Sequence, residues 1–183
     1  MRLGTDWSDQ EVVLYQAVLA AHAQSALRGN ASHQALVLSA QGSGDYSKAL
    51  IGALSTLGGS HAPLEATFDL LVSSNVLERA DRMIADGGKV PGWGNAFVKG
   101  EADQLWREVE CYLRLLDADM IEVIEAVTML LHERGKDIYP NPSCWTCAAG
   151  KRLGFNRKTV GYLFVQGRLN EWTEAFREMM PHG

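Results

Sequence analysis

Cysteine, proline and positive charge are all scarce in this sequence, and no apolar run reaches the roughly 18 residues that a membrane-spanning helix needs. Its three cysteines, Cys111, Cys144 and Cys147, are too few and too unevenly spaced for a disulfide framework, and they read as reduced structural thiols. The pair in CWTC has the spacing of a zinc or redox motif. A structural zinc, however, needs about four ligands, and neither a second CxxC nor a His pair accompanies it. A thioredoxin-type site would need a surrounding βαβ pattern, which is missing too, so no metal site is expected. Lys and Arg total 17 against 22 Asp and Glu, a formal charge of -5 that leaves no basic footprint for nucleic-acid phosphates. The opening MRLGTDWSDQ lacks the basic-then-apolar layout of a secretory signal. The expectation is a cytoplasmic protein that engages neither nucleic acid nor membrane.

What the chain does have is a core. Its 183 residues and 46% hydrophobic content suit one domain, or one domain with a small lobe. Ser8-x-x-Glu11 is a capping box ahead of VVLYQAVLAAHAQSAL, which predicts a first helix over 9–28 with Gly29 as its stop. A second over 31–41 ends at QGSG, and Asp45 opens a third that runs to the Gly58-Gly59 pair. Ser60 is placed to cap a helix beginning near His61 with Pro63 in its first turn, and Asn75-x-x-Glu78 forms a second capping box. Helices are expected to resume at Glu101, through DQLWREVECYLRLL, MIEVIEAVTMLLHER and a segment around 144–153, and to finish with KTVGYLFVQGRLNEWTEAFREMM. No segment alternates with a period of two, and the fold class is all-α without internal repeats. Between these helices lies VPGWGNAFVKGEAD, rich in glycine and without sustained period, a loop that packing or a ligand must hold.

That loop resembles the VPGxGH loop of citrate synthases, and three further segments resemble the same family in the same order. GNASHQALVLSAQGSGDYSKALIGALSTLGGSHAPLEA is similar to the family's LNAS helix, its D-x-Y-S-A helix and its GPLHGG turn; DIYPNPS is similar to LYPNVD; RLNEWTEAF is similar to a late arginine-bearing helix. The similarity covers roughly residues 19–177. It implies a citrate synthase-like multi-helix fold and a homodimer. It also implies a single unit in which residues 1–88 and 155–183 form a large-domain-like core and 89–154 a small-domain-like lobe. Coenzyme A or acetyl-CoA becomes the expected ligand, bound reversibly rather than held as a permanent cofactor, with Val90, Pro91, Gly92, Trp93, Gly94 and Lys99 contacting it. The resemblance makes His61 the histidine of the GPLHGG turn, places Asn95 where the loop's carbonyl-polarising histidine stands and Ser143 where the base aspartate stands, and assigns Arg168 to the acceptor's carboxylate. It also predicts a truncated unit, lacking much of the family's N-terminal large-domain region and its late RP segment.

Two of the three catalytic positions are thus substituted. A serine hydroxyl is almost never ionised near neutrality, so Ser143 cannot replace a carboxylate base without a partner. Asn95 keeps an amide donor that can polarise a carbonyl, but it cannot carry a proton as imidazole does. Gln104 falls where the family has the arginine of its DPR run, and His22 matches only the first histidine of LHADHELN, with Ser25 or Ala26 at the second. Keto-acid recognition normally uses charge-assisted arginine forks, and here only Arg168 remains for it. Several of these residues also have purely structural readings. A histidine after Gly-Gly can be a packed helix-start residue, Lys99 a solvated charge, and Trp93 a core side chain rather than a platform for adenine. Three functions follow. The first is a catalytically reduced citrate synthase-like protein that binds CoA or an acyl-CoA and acts in regulation or structure. The second is an active enzyme that makes or breaks a carbon-carbon bond in a CoA thioester, citrate synthase or citryl-CoA lyase in type, using Glu65 or Asp137 as a new base. The third is an assembly component with no small ligand.

Overall fold

The structure is a computed structural model, and it describes residues 7–26, 30–58, 62–95 and 98–180. Among them are nine α-helices and no strand: α1 Asp9–Ala26, α2 Ala31–Ser43, α3 Tyr46–Ser55, α4 Leu64–Leu71, α5 Val76–Ala85, α6 Arg107–Leu116, α7 Ala118–Glu133, α8 Pro142–Arg152 and α9 Gly161–Met179. A single 3-10 turn, Gln104–Trp106, precedes α6.

Helix starts follow the side chains that can satisfy orphan N–H groups. The Ser8–Glu11 box is reciprocal: Ser8 Oγ accepts from Glu11 N at 3.3 Å, and Glu11 Oε2 accepts from Ser8 N at 2.9 Å. Asn30 caps α2 through His33 N, Asp45 caps α3 through Lys48 N, and Asp117 caps α7 through Met120 N. The start expected near His61 is corrected. Ser60 and His61 lie outside the described residues, and α4 begins only at Leu64, after Pro63. Proline disfavours helical backbone at the residue before it, and Ala62 sits at φ 50°, so the helix cannot extend through it. The start expected at Glu101 also moves. Asp103 Oδ1 accepts from Leu105 N at 3.2 Å, which opens the 3-10 turn, and α6 follows from it. At the second box, Asn75 makes no cap bond and donates its side-chain amide to Glu78 instead. The third helix stops at Ser55, short of Gly58, and the last begins at Gly161.

α8 lies at the centre, buried without interruption from Ser143 to Gly150. α1 packs on it, on α6 and most extensively on α9, burying Leu14, Val18 and Ala21; α4 covers another side of α8 with Leu64, Phe68 and Leu71. Gly167 permits the approach of α1 to α9, and Gly150 that of the start of α9 to α8. A Cβ on Gly150 would lie 2.7 Å from Val160 Cγ2, and one on Gly167 would lie 2.5 Å from His22 Cβ. Trp7 pins the entry to α1 by donating its indole N–H to Leu153 O at 3.1 Å, while buried Glu11 pairs with Arg152 at 3.2 Å. Among the described residues no helix is long and apolar enough to cross a membrane.

Candidate functional site

Two residues after α5 comes Gly87, whose φ of 71° allows the Gly88 N–H to reach back to Met83 O at 2.8 Å. The chain then turns through the Val90 to Asn95 loop, whose backbone is held by the segment leading into α8. Gly94 N donates to Tyr139 O at 2.9 Å, and Asn141 N donates to Gly92 O at 2.8 Å. Trp93 and Pro140 form an antiparallel bridge. Asn141 is the hinge pin of this arrangement: its Nδ2 donates to Gly94 O at 2.9 Å while its Oδ1 accepts from Ser143 N at 2.9 Å and Cys144 N at 3.4 Å. One side chain therefore ties the loop to the N-terminus of α8. Gly92, at φ 92°, lies so close to α4 and α8 that a Cβ there would meet Thr67 Cγ2 at 2.7 Å and Cys144 Cβ at 3.3 Å. Trp93 is only 6% exposed and donates its indole N–H to Thr128 Oγ1 at 2.9 Å, so its ring belongs to the protein interior.

Beneath this loop is a cleft of about 690 Å³, bounded by Pro63 and Ala66 at the start of α4, Leu131 at the end of α7, Ile138 and Asn141. It adjoins a smaller hollow of about 270 Å³ that shares Gly94, Asn95 and Ile138 with it and is lined by Lys99, Asp103 and Asp137. Asn95 stands at the junction. Its amide Nδ2 donates to the buried Asp103 carboxylate at 3.2 Å, which fixes the orientation of the amide because a carboxylate can only accept.

A second polar group lies deeper. Arg168 of α9 is 4% exposed; its Nη2 donates to Ser25 Oγ at 3.1 Å, and its guanidinium stands 4.3 Å from the centre of the Phe164 ring. His22 is fully buried, with its ring edge-on to Trp106 and Phe164, both at 4.9 Å. Thr146 Oγ1 donates to Pro142 O at 2.6 Å, so it accepts from His22 Nε2 at 2.8 Å and sets the tautomer. Burial, and next the nearby Arg168 charge, lower the His22 pKa well below its ordinary 6.5 and hold the ring neutral. The cysteines of CWTC are free and buried on α8. Burial pushes both thiols up, Cys144 further raised by Cys147, and Cys147 Sγ donates to Leu64 O.

The structure thus brings Val90, Pro91, Gly92, Trp93, Gly94 and Asn95 to one cleft, and Lys99 to the hollow beside it. Ser143 is buried at the start of α8, next to the Asn141 tie. Arg168 lines neither the cleft nor the adjoining hollow. His61 lies outside the described residues. Of the two carboxylates considered as replacement bases, Glu65 is exposed and paired with Arg157 at 2.9 Å, whereas Asp137 lines the hollow next to Asn95. Sequence reasoning missed Asp103, Asn141 and Thr146. The N-cap pattern of Asn141 before Pro142 was readable, but its bond to Gly94, 47 residues away, was not.

No protein-family model matches the sequence, and no curated protein matches it. Solved structures do. The citryl-CoA lyase of Hydrogenobacter thermophilus aligns with a TM-score of 0.81 at 17% identity, over 96% of this chain and 72% of that one. The citrate synthase of Thermotoga maritima aligns at 0.78 with 21% identity, over 96% of this chain and 50% of its own. That of the archaeon Thermoplasma acidophilum, solved as a ternary complex with carboxymethyl coenzyme A and oxaloacetate, aligns at 0.77 with 18% identity over the same shares, 96% and 50%. The chain thus spans half the length of these two synthases. At such identities the likeness establishes the architecture alone: this chain has a citrate synthase-like helical fold.

Proposed function

We propose that the protein binds coenzyme A or a CoA thioester in the cleft beneath the Val90 to Asn95 loop and turns over no citrate synthase reaction at an appreciable rate. The observation that carries this reading is the open cleft of about 690 Å³ under a loop whose backbone is fixed in advance by Asn141 and Tyr139. A site that need not be ordered on binding avoids much of the conformational cost of taking a ligand. Support for the lost chemistry comes from the other half of the site. Ser143 supplies no carboxylate, Asn95 is engaged with Asp103, and Arg168 and His22 are packed among Trp106 and Phe164 rather than set in an open pocket. A dianionic keto acid would have to displace that packing. The fold relatives named above are a citryl-CoA lyase and a synthase holding a CoA analogue, which makes a CoA thioester the ligand class to test first. The role left to such a protein is regulatory or structural. The test is binding of acetyl-CoA alongside an assay for free CoA released on adding oxaloacetate: binding without release is expected, and release at a rate typical of enzymes, about 1 per second or faster, contradicts the reading.

One observation favours a second reading, an active acyl-CoA enzyme on another substrate: Asp137 lines the hollow that Asn95 opens onto, and a carboxylate there is placed to serve as a base. Exchange of the acetyl-CoA methyl protons with deuterated water reports that step without any acceptor. Exchange that is lost in Asp137→Asn while binding persists would establish the second reading over the first.

A further inference from the structure

Two hollows flank the cleft, and they differ in character. The one beside Asn95, of about 270 Å³, is lined by Lys99 and by the carboxylates of Glu101, Asp103 and Asp137. The other, of about 490 Å³, lies at the start of α4, where Leu57, Ala62, Leu64 and Gly161 give it uncharged walls. Its charged side chains largely answer one another. Arg157 pairs with Glu65 at 2.9 Å and with Asp69 at 3.1 Å, which leaves only Lys158, among the described lining residues, as a charge outside that cluster. Pro63 and Ala66 border both this hollow and the cleft, so the two spaces meet across the first turn of α4, and Ala66 puts no more than a methyl group at the border.

Gly161, the first residue of α9, keeps the far wall open. It does not have a left-handed φ, and a Cβ built on it would meet nothing nearer than Leu64 Cδ1 at 4.0 Å. Gly150 and Gly167 are demanded by close packing, with a Cβ contact of 2.7 Å at the first and 2.5 Å at the second; Gly161 is not. Glycine is less favourable than alanine in a helix, so neither backbone nor packing calls for it there, whereas a larger side chain would project toward Leu64 and into the hollow. The space is also the better of the two for hydrocarbon. An apolar chain beside Asn95 would strip water from carboxylates and a lysine, a cost that buried methylenes do not offset, while the hollow at α4 offers Leu57, Ala62 and Leu64 as its surface.

Resting on the CoA reading above, we propose that the hollow at the start of α4 receives the acyl group of the bound thioester, so that the site selects acyl-CoAs with an extended apolar chain over acetyl-CoA. The test is calorimetric titration of the intact protein with acetyl-, butanoyl-, hexanoyl- and octanoyl-CoA, for the wild type, Gly161→Ala, Gly161→Leu and Leu57→Gln, with helicity checked for each. A fully buried methylene is worth up to about fourfold in affinity, and in a partly open hollow the wild type should bind octanoyl-CoA about tenfold or more tighter than acetyl-CoA, with the shorter chains between them. Gly161→Leu, outside the cleft, should level the series while acetyl-CoA affinity stays within about twofold of wild type, and Gly161→Ala should keep most of the rise. Leu57→Gln should reduce the rise as well, and it decides the matter where Gly161→Leu does not fold. Equal wild-type affinities across the series overturn the acyl site but leave the CoA reading standing. A rise that persists unchanged in folded Gly161→Leu, or in Leu57→Gln, places the chain elsewhere and also overturns the proposal. Absence of binding by every thioester overturns the CoA reading itself, and the acyl site with it.

Discussion

Asn95 and Ser143, which the sequence resemblance sets where an imidazole and a carboxylate are expected, have surroundings that give each a different task. Ser143 sits at the α8 start where Asn141 caps the helix, so Ser143→Ala should leave CoA affinity within about twofold of wild type, checked by titration. His22 makes a sharper prediction. Its folded pKa is lowered below the 6.5 of an ordinary histidine, so the unfolded chain takes up a proton that the native state refuses. That contribution is absent above pH 6.5, and stability then falls as the pH drops below 6.5 toward the folded value, by at most about 1.4 kcal/mol per pH unit. Denaturant melts between pH 5 and 7 should show this slope in the wild type and lose it in His22→Gln. A slope equal in both proteins would place the titration elsewhere. At this level the sequence was partly legible. Asn95, Ser143 and Arg168 were singled out by the family resemblance, but the hold of Asp103 on Asn95 and the burial of Arg168 against Ser25 of α1 are tertiary contacts that no local motif records.

Local rules governed the elements well wherever a side chain or a glycine sets a boundary. The Ser8 box and the Asn30 and Asp45 caps were all readable because each acts within three residues of itself. The α4 start was misplaced because the serine cap was weighed above the restriction that Pro63 imposes on Ala62. The turn at Gln104–Trp106 was hidden because a 3-10 start differs from an α start by one residue of hydrogen bonding, which apolar spacing does not register. The close crossing of α1 over α9 rests on Gly167. Gly167→Ala would drive a methyl to 2.5 Å from His22 Cβ and 3.1 Å from Leu19 O, both rigidly placed, and should cost about 1–3 kcal/mol in a urea melt. In the cleft loop, Trp93→Phe keeps an aromatic ring but removes the 2.9 Å bond to Thr128 and part of the buried indole, a loss of about 2 kcal/mol in stability. Loss of CoA binding out of proportion to that change would mean that the indole touches the ligand after all.

Across the whole molecule, the apolar surface is not evenly spread. Leu38 on α2 and Ile51 on α3 remain 70% and 64% exposed on two helices packed against each other; the resemblance implies a homodimer through the first and third helices, and burial of these two side chains in it is the expectation to test. Sedimentation should give a dimer that Leu38→Lys with Ile51→Lys converts to monomer without loss of helicity; a wild-type monomer at all concentrations removes that proposal. The all-α architecture was legible from period and caps alone. The cleft was not, because it is made where the ends of α5 and α7 meet α4 and the segment before α8, elements far apart in the chain. A calorimetric titration of the purified protein with coenzyme A and acetyl-CoA up to millimolar concentration decides whether that cleft functions. Saturable binding of about one ligand per chain is the predicted result, and no heat from either ligand would contradict the CoA reading and leave the chain an assembly component with an empty fold.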